Sequence, residues 1–392
     1  MRKYKIFVST AGNLTPYLSQ ELLSLEFKQL SQLNTGIFME ATFSDIMRLN
    51  LCLHSANHIF LLIKEFKCDS PEELYRRVYD IEWENLIFKD GYVSVFSNVS
   101  NPTIRDNRFA NLKCKDAIVD RLANTQGQRP NSGALRDRTV IYLYWIDNHC
   151  AIYIDTSGEP LSKRGYRKIS LKAPLQETLA AAIILATNWQ GKSPFINPMC
   201  GSGTLAIEAA FMALGRAPSI LRQNFGFMHT KLFNAAEFEA IKKEMRKKEN
   251  KNISSKIIAT DIDKDAISAS YKNACLAQVE NYIEFKACDY KETPVPQPAG
   301  VIVINPEYGI RMGKPDELEK LYEEIGDFFK QKCLGYLAYV FSGNISLLKK
   351  IRLKPQRKLT FYNGDIECRL YEYSLYEGSK RAVKITREHN QE

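Results

Sequence analysis

Four short stretches of the 392-residue chain carry residue types suited to chemistry. The first is Asn197-Pro198-Met199-Cys200-Gly201-Ser202-Gly203-Thr204, between a strand-like run and a helix-like run. Gly201 and Gly203 allow tight backbone geometry and close approach of a ligand to main-chain N–H groups. A lone G-x-G equally closes an ordinary strand–helix turn. The second stretch, Asp261-Ile262-Asp263, ends the next strand. A carboxylate there is placed to accept two ribose hydroxyls, and the other aspartate suits capping of the following helix. The third, Cys288-Asp289, ends a third strand, where a carboxylate can accept from an adenine amino group. Together these strand ends outline an adenosine-shaped crevice. A dinucleotide is the rival ligand, since its G-x-G-x-x-G fingerprint tolerates Ala206 in third place, but no other part of a pyrophosphate site is legible.

The fourth stretch, Asn305-Pro306-Glu307-Tyr308-Gly309, follows a strand ending V-I-V-I-N and would face the same crevice. An exocyclic aromatic amine is a poor nucleophile because its lone pair is delocalised into the ring. The Asn305 side-chain oxygen and the Pro306 carbonyl can each accept one amine hydrogen, aiming the lone pair at an incoming methyl group and dispersing the developing positive charge. Tyr308 can stack on an extruded base. In isolation an N-P pair is a common strand-ending turn; beside a glycine loop and two strand-end acids it reads as chemistry.

The elements around these motifs change character along the chain. Residues 1–43 read as strand (KYKIFVST), helix (LTPYLSQELLSL, with Thr15-Pro16 as cap and first-turn proline) and strand (GIFMEAT). Residues 44–157 mix helical patterns (SDIMRLNLCLHSANHIFLLI, PEELYRRVYDI, LKCKDAIVDRLANTQ) with strands (YVSVFSNV, TVIYLYWI, HCAIYIDT), an α+β segment. Residues 158–174 are polar and basic, the composition of a linker. From 175 to 392 strands alternate with helices, beginning with a helix over Leu175 to Trp189, and this argues a doubly wound, largely parallel sheet. Two final strands about the turn Asn363-Gly364 predict an antiparallel edge hairpin. Phe225 to Ile253 is basic and reads as an insertion.

Composition is ordinary for a globular chain, with 45% apolar and 25% charged residues, which excludes collagen-like, coiled-coil and largely disordered classes. A net charge of +9 suits a polyanionic partner without identifying one. No apolar run reaches the roughly 18 residues of a membrane span, and the N-terminal MRKYKIFVST reads as a first strand, not a leader. Nine cysteines, an odd number without a C-x-x-C, predict reduced thiols and a cytoplasmic protein. Cys52, His54 and His58 would put two histidines on one helix face, as in a zinc site. No second ligand cluster follows, so no metal is assigned.

N-P-M-C-G-S-G-T-L-A-I-E-A-A resembles the cofactor loop of S-adenosylmethionine-dependent RNA methyltransferases that carry an N-terminal THUMP domain. More narrowly, the chain is similar to the bacterial 23S rRNA guanine-N2 methyltransferases of the RlmL, YpsC-like (UPF0020) family. That similarity covers nearly its whole length, through IDTSGEPLSKRGYR, APLQETLAA and YNGDIECRLYEY. The resemblance is to the shorter, single-methyltransferase form, which lacks the second methyltransferase domain fused in some members. The resemblance implies a Rossmann-like class I methyltransferase domain (175–392) behind a ferredoxin-like subdomain (1–43), a THUMP RNA-binding domain (44–157) and a basic linker (158–174). It implies S-adenosyl-L-methionine as cofactor, held by Asn197, Pro198, Cys200, Gly201, Ser202, Gly203, Thr204, Asp261, Ile262, Asp263, Asp289 and Asn305. It implies Asn305, Pro306, Glu307 and Tyr308 as the catalytic motif, with Asn305, Pro306 and Tyr308 matching the family pattern. Two positions depart from the family pattern. Asp is common where Asn197 stands, and N-P-P-Y is here N-P-E-Y, which adds the Glu307 charge beside the target base.

The expected partner is ribosomal RNA or a pre-ribosomal particle, with no membrane. Lys113, Lys115, Arg121, Arg129, Arg136 and Arg138 cluster about one helix and its following loop. Lys163, Arg164, Arg167 and Lys168 surround Tyr166, a basic run with an aromatic that suits backbone contact and stacking. The RNA-binding residues so expected are Lys113, Arg129, Arg136, Arg138, Lys163, Arg164, Tyr166 and Arg167. Lys242, Lys243, Arg246, Lys247, Lys248 and Lys251 form a third basic run that reads better as a solvated helix. Three activities remain open: 23S guanine-N2 methylation, methylation of tRNA guanine-N2 or of adenine-N6, and non-catalytic RNA binding with a relic pocket.

Overall fold

The computed structural model describes residues 2–102, 104, 106–169, 171, 175–308 and 315–376, and they fall into two compact units. Gly309 of the fourth motif and the start of APLQETLAA lie outside the described residues.

The first unit comprises Met1–Gly165 and Arg216–Glu249. Its elements are β1 (Tyr4–Ser9), α1 (Thr15–Ser24), β2 (Gln29–Leu33), β3 (Gly36–Ala41), α2 (Phe43–Cys52), β4 (His58–Lys67), α3 (Pro71–Tyr79), β5 (Tyr92–Ser100), α4 (Asn107–Gln126), β6 (Asn131–Ser132), β7 (Thr139–Ile146) and β8 (His149–Asp155). Strands β1 to β8 form one sheet of order β2-β3-β1-β4-β8-β7-β5-β6. Local signals set the helix starts. Thr42 and Asp45 form a reciprocal capping box at α2, and Ser70 with Pro71 opens α3. Helical periodicity predicted a continuous helix from Ser44 to Ile63. The structure ends α2 at Cys52, and His58–Lys67 is a strand pairing with β1 and β8. The run I-F-L-L-I is rich in β-branched and aromatic residues, and burial in mid-sheet decides its conformation. His54 therefore lies in a loop and His58 in a strand, where its Nδ1 sits 2.8 Å from Asp155 Oδ2. The shared helix face that suggested zinc does not exist. Strand β2 escaped the sequence reading because QLSQL is an exposed edge with no apolar alternation.

The second unit comprises Tyr166–Gly215 and Asn250–Glu392. It opens with α5 (Glu177–Ala186), shorter at both ends than the Leu175–Trp189 predicted, then β9 (Phe195–Pro198) and α6 (Thr204–Leu214). The chain then enters the first unit, where it forms α7 (Ala235–Lys248). It continues in the second unit with β10 (Ile257–Asp261), α8 (Lys264–Ala277), β11 (Ile283–Ala287), β12 (Val301–Ile304), α9 (Pro315–Lys332), β13 (Leu337–Ser342), α10 (Ile345–Lys350), β14 (Arg357–Asn363) and β15 (Ile366–Ser374). The sheet order is β11-β10-β9-β12-β13-β15-β14. The first five strands are parallel, and β15 and β14 are antiparallel additions. The closing hairpin turns one residue later than predicted: Asn363 pairs with Ile366, and Gly364 takes φ +62°. The strand order reverses between β9 and β12, the switch point at which doubly wound sheets bind ligands. Among the described residues no helix is long and apolar enough to cross a membrane.

Arg216–Glu249, which the sequence reading left inside the 175–392 span, packs into the first unit's core. Phe225, Phe227, Phe233 and Phe238 form one aromatic cluster there. The buried Arg222 guanidinium donates to the carbonyls of Ser157 (2.8 Å), Glu159 (2.6 Å), Pro160 (2.9 Å) and Asn224 (2.9 Å). Truncating a buried phenylalanine costs about 3–5 kcal/mol. Phe238→Ala is therefore expected to lower hydrogen-exchange protection across β4, β7 and β8 while leaving β9, β12 and β13 protected. Loss confined to the second unit's strands would contradict this assignment.

Candidate active site

The glycine loop is built by three left-handed residues in five: Met199 (φ +55°), Gly201 (φ +55°) and Gly203 (φ +83°). At Gly203 a Cβ would come within 2.1 Å of Ser270 Oγ and 3.2 Å of the Ser270 backbone, so only glycine lets α8 pack here. At Gly201 a Cβ would meet nothing within 4 Å, so that side of the loop is open. Gly203 N-caps α6 with no side chain to occupy the first-turn donors. Cys200 N–H donates to Thr260 O (3.0 Å) and Gly201 N–H to Asp261 Oδ2 (2.9 Å), fastening the loop to the end of β10.

Asp261 also accepts from Asp263 N–H through Oδ1 (3.0 Å). Each carboxylate oxygen keeps one further acceptor site. Asp263 caps α8 by accepting from Asp265 N–H (2.8 Å), the role expected of it. Ile262 between them is 73% exposed, an apolar side chain held out at a strand end. Asp289 accepts from Lys291 N–H (2.8 Å) and caps a short turn at residues 290–292. Asn197 is buried, and its Nδ2 donates to Val303 O (2.9 Å), tying β9 to β12 where their ladder has ended. A carboxylate in its place would face that carbonyl with no proton to give, so the amide has a structural use. Ser202 and Thr204 are buried in the loop and the first turn of α6.

Beyond β12, Asn305 Oδ1 is buried without a hydrogen-bond partner among the described residues. A buried acceptor without a partner is costly unless a ligand satisfies it. Pro306 is buried and Glu307 exposed. The Glu307 carbonyl accepts from Tyr322 Oη (3.2 Å), and Tyr308 Oη accepts from Asn363 Nδ2 (3.3 Å). The Tyr308 ring lies so close to Gly343 that a Cβ there would touch it at 3.1 Å. Burial pushes the Tyr308 phenol up from its ordinary value. Tyr322, Asn363 and Gly343 were invisible to sequence reasoning, because they reach the motif from α9, β14 and the end of β13.

The loop, the strand-end acids and the Asn305 turn thus gather at one end of one parallel sheet. The model of the RMKL-like methyltransferase domain, UPF0020, matches residues 164–372. The chain belongs to this family. Models of the RlmL ferredoxin-like domain and the THUMP domain match residues 5–60 and 68–155, so the fold is a Rossmann-like methyltransferase domain behind a ferredoxin-like and THUMP module. Ribosomal RNA large subunit methyltransferase K/L of Psychromonas ingrahamii is 36% identical over 94% of this chain and 50% of its own length. The chain therefore spans about half the length of the curated relatives it matches. Among solved structures, SMU.472, crystallised with S-adenosylhomocysteine, is 26% identical at a TM-score of 0.86, covering 97% of this chain and 100% of that one. A Listeria monocytogenes protein, described as a predicted N6-adenine-specific DNA methylase, is 27% identical at a TM-score of 0.86, covering 96% and 97%.

The basic residues divide sharply. Arg164 is 1% exposed and donates to the carbonyls of Leu161 (2.7 Å) and His54 (2.5 Å). Tyr166 is 2% exposed, and its hydroxyl donates to Glu208 Oε1 (2.9 Å). Arg167 pairs with Glu177 in a mostly buried ion pair. These three cannot present cations or a ring to RNA, because their side chains build the interior. Lys163 is exposed and pairs with Glu159, and Arg129 pairs with Asp120. Lys113 lies over the Phe109 ring (5.7 Å), and Arg136 over Phe96 (3.6 Å). Arg138 is exposed two residues further on.

Cys200 sits in the loop, yet burial first, and then the Asp261 charge, push its thiol up to about 12. Little of it is therefore thiolate near neutral pH. Alkylation by iodoacetamide should modify the exposed Cys275 and spare Cys200, with the Cys200 rate rising tenfold per pH unit through the alkaline range. Mass spectrometry of tryptic peptides reads both, and rapid labelling of Cys200 at pH 7 would contradict this account.

Proposed function

We propose that this chain transfers a methyl group from S-adenosylmethionine to the exocyclic N2 amine of a guanine in 23S ribosomal RNA. The observation that carries the reading is the buried Asn305 Oδ1, without a hydrogen-bond partner among the described residues, one strand from the glycine loop. The site fits an adenosyl cofactor. Gly201 leaves room for close approach, Asp261 has acceptor capacity for ribose hydroxyls, and Ile262 offers an apolar face to a ring. When bound, S-adenosylmethionine supplies an electrophilic methyl group. The SMU.472 complex and the large-subunit rRNA methyltransferases among the relatives support that cofactor and that substrate class.

This chain's own residues then orient the acceptor. Asn305 Oδ1 and the Pro306 carbonyl take one amine hydrogen each. The nitrogen lone pair is turned out of the ring plane and the cation forming in the transition state is shared by two acceptors. Pro306 fixes its own φ and so limits where its carbonyl points. Tyr308 presents a ring face to the extruded base. Glu307 bears on base choice: guanine offers N1–H and N2–H donors, which a carboxylate accepts, whereas adenine N1 is an acceptor that a carboxylate repels.

Purified protein with labelled S-adenosylmethionine should place label in N2-methylguanosine from 23S rRNA lacking the modification. Label in tRNA would move the target, label in N6-methyladenosine would overturn the Glu307 argument, and no transfer would leave an RNA-binding protein. Asn305→Ala should abolish turnover with S-adenosylhomocysteine affinity unchanged within about twofold, as for a contact made mainly in the transition state.

RNA engagement is assigned to the first unit, through Lys113, Arg136 and Arg138. Arg136→Glu with Arg138→Glu should weaken RNA binding and flatten the logarithmic salt dependence by about 1–2. Cofactor affinity should not move. An unchanged slope in a filter-binding series would make these arginines a solvated face.

A further inference from the structure

The Asn305–Tyr308 turn carries the amine acceptors, yet its own backbone is held by something outside the motif. Tyr322, on α9, is fully buried. Its hydroxyl lies 3.2 Å from the Glu307 carbonyl and 2.8 Å from Ser342 Oγ at the end of β13. Ser342 Oγ in turn accepts from the Asn344 backbone N–H (3.1 Å). Proton counting fixes the direction of this chain. A carbonyl can only accept, so Tyr322 spends its one hydroxyl proton on Glu307 O. Ser342 must then give its proton to Tyr322, and its lone pair receives the Asn344 N–H. Each donor has one acceptor, and the series runs one way, from the start of α10 to the motif. Burial pushes the Tyr322 phenol upward, so it remains a donor across the working pH range.

We infer that Tyr322 is a positioning residue for methyl transfer, acting through the Glu307 carbonyl. The inference rests on the reading of Asn305 and Pro306 as the amine acceptors. The Pro306 carbonyl belongs to the peptide between a residue whose ring fixes φ and a residue whose own carbonyl Tyr322 pins. Two restraints, one on each side, leave that acceptor little freedom to swing. The same pinned Glu307 peptide leads directly into Tyr308, whose ring rests against Gly343 and whose hydroxyl is held by Asn363. A small rotation of this turn would misdirect both the acceptor and the stacking ring. Misplacement of a positioning group by about 1 Å can cost a hundredfold in rate.

The test is Tyr322→Phe, which keeps the ring in the core and removes only the hydroxyl. Single-turnover methyl transfer to 23S rRNA should slow at least tenfold. The Kd values for S-adenosylhomocysteine and for RNA should stay within about twofold of the parent. Tyr336→Phe is the matched control. It deletes another inward hydroxyl, one that donates to the Pro296 carbonyl ahead of β13, at the opposite end of the sheet, and its single-turnover rate should equal the parent's. Ser342→Ala removes the second link and leaves Tyr322 its bond to Glu307, so a smaller slowing of the same sign is expected. It also carries the test if Tyr322→Phe does not fold. A parental rate in Tyr322→Phe, or in Ser342→Ala where Tyr322→Phe is unfolded, overturns the inference. So does an equal loss of rate in Tyr336→Phe, which would reveal general core damage. Absence of transfer by the parent protein would instead sink the proposed reaction.

Discussion

The Asp261 carboxylate is the joint on which the site depends. One oxygen takes the Gly201 N–H and the other takes the Asp263 N–H, so a single side chain sets both the glycine loop and the start of α8. The loop packs three left-handed residues into five positions, and its internal turn bond, Gly203 N–H to Cys200 O (3.0 Å), is joined by the tie to Asp261. A charge-assisted bond of about 1.5–3 kcal/mol is a reasonable counterweight. Gly203 then brings α6 and α8 together, and Gly201 is left facing open space. A side chain that is already a structural acceptor and still has acceptor capacity can meet a ligand without rearrangement, which is the economy of the arrangement.

The second unit's site was legible because its chemistry sits at strand ends in chain order. Asp261 and Asn305 each follow a run of β-branched residues, Gly201 and Gly203 follow the short strand FINP, and parallel pairing brings these strand ends to one edge. The capping role of Asp263 could be read too, since capping follows local rules. The tethers on the motif could not. Tyr322, Ser342 and Asn363 are remote in sequence, and nothing in a tyrosine on an amphipathic helix says that its hydroxyl reaches a carbonyl fifteen residues back.

Two other failures have one cause: pattern without burial. The segment about Tyr166 has the composition of an RNA-contacting linker, but Arg164, Arg167 and the Tyr166 hydroxyl are taken up by Leu161, Glu177 and Glu208. Asn273 completes that use of the segment, accepting from Lys168 and Ile169 N–H and donating to the carbonyls of Ile169 and Ser202. A stretch that reads as a spacer thus braces the glycine loop. Likewise the helical period across residues 44–63 conceals a strand, because a continuous apolar run fits either element until its neighbours are known. The insertion shows the same limit at the scale of a domain: its phenylalanines are obvious in the sequence, and the core they fill is not.

The reaction we propose for this site is methylation of one guanine of 23S rRNA at N2. Nucleoside mass spectrometry of 23S rRNA from a strain lacking this gene tests it most directly. The account predicts loss of one N2-methylguanosine, restored by the native gene and not by Asn305→Ala. An unchanged 23S nucleoside profile, or a loss confined to N6-methyladenosine, would contradict it.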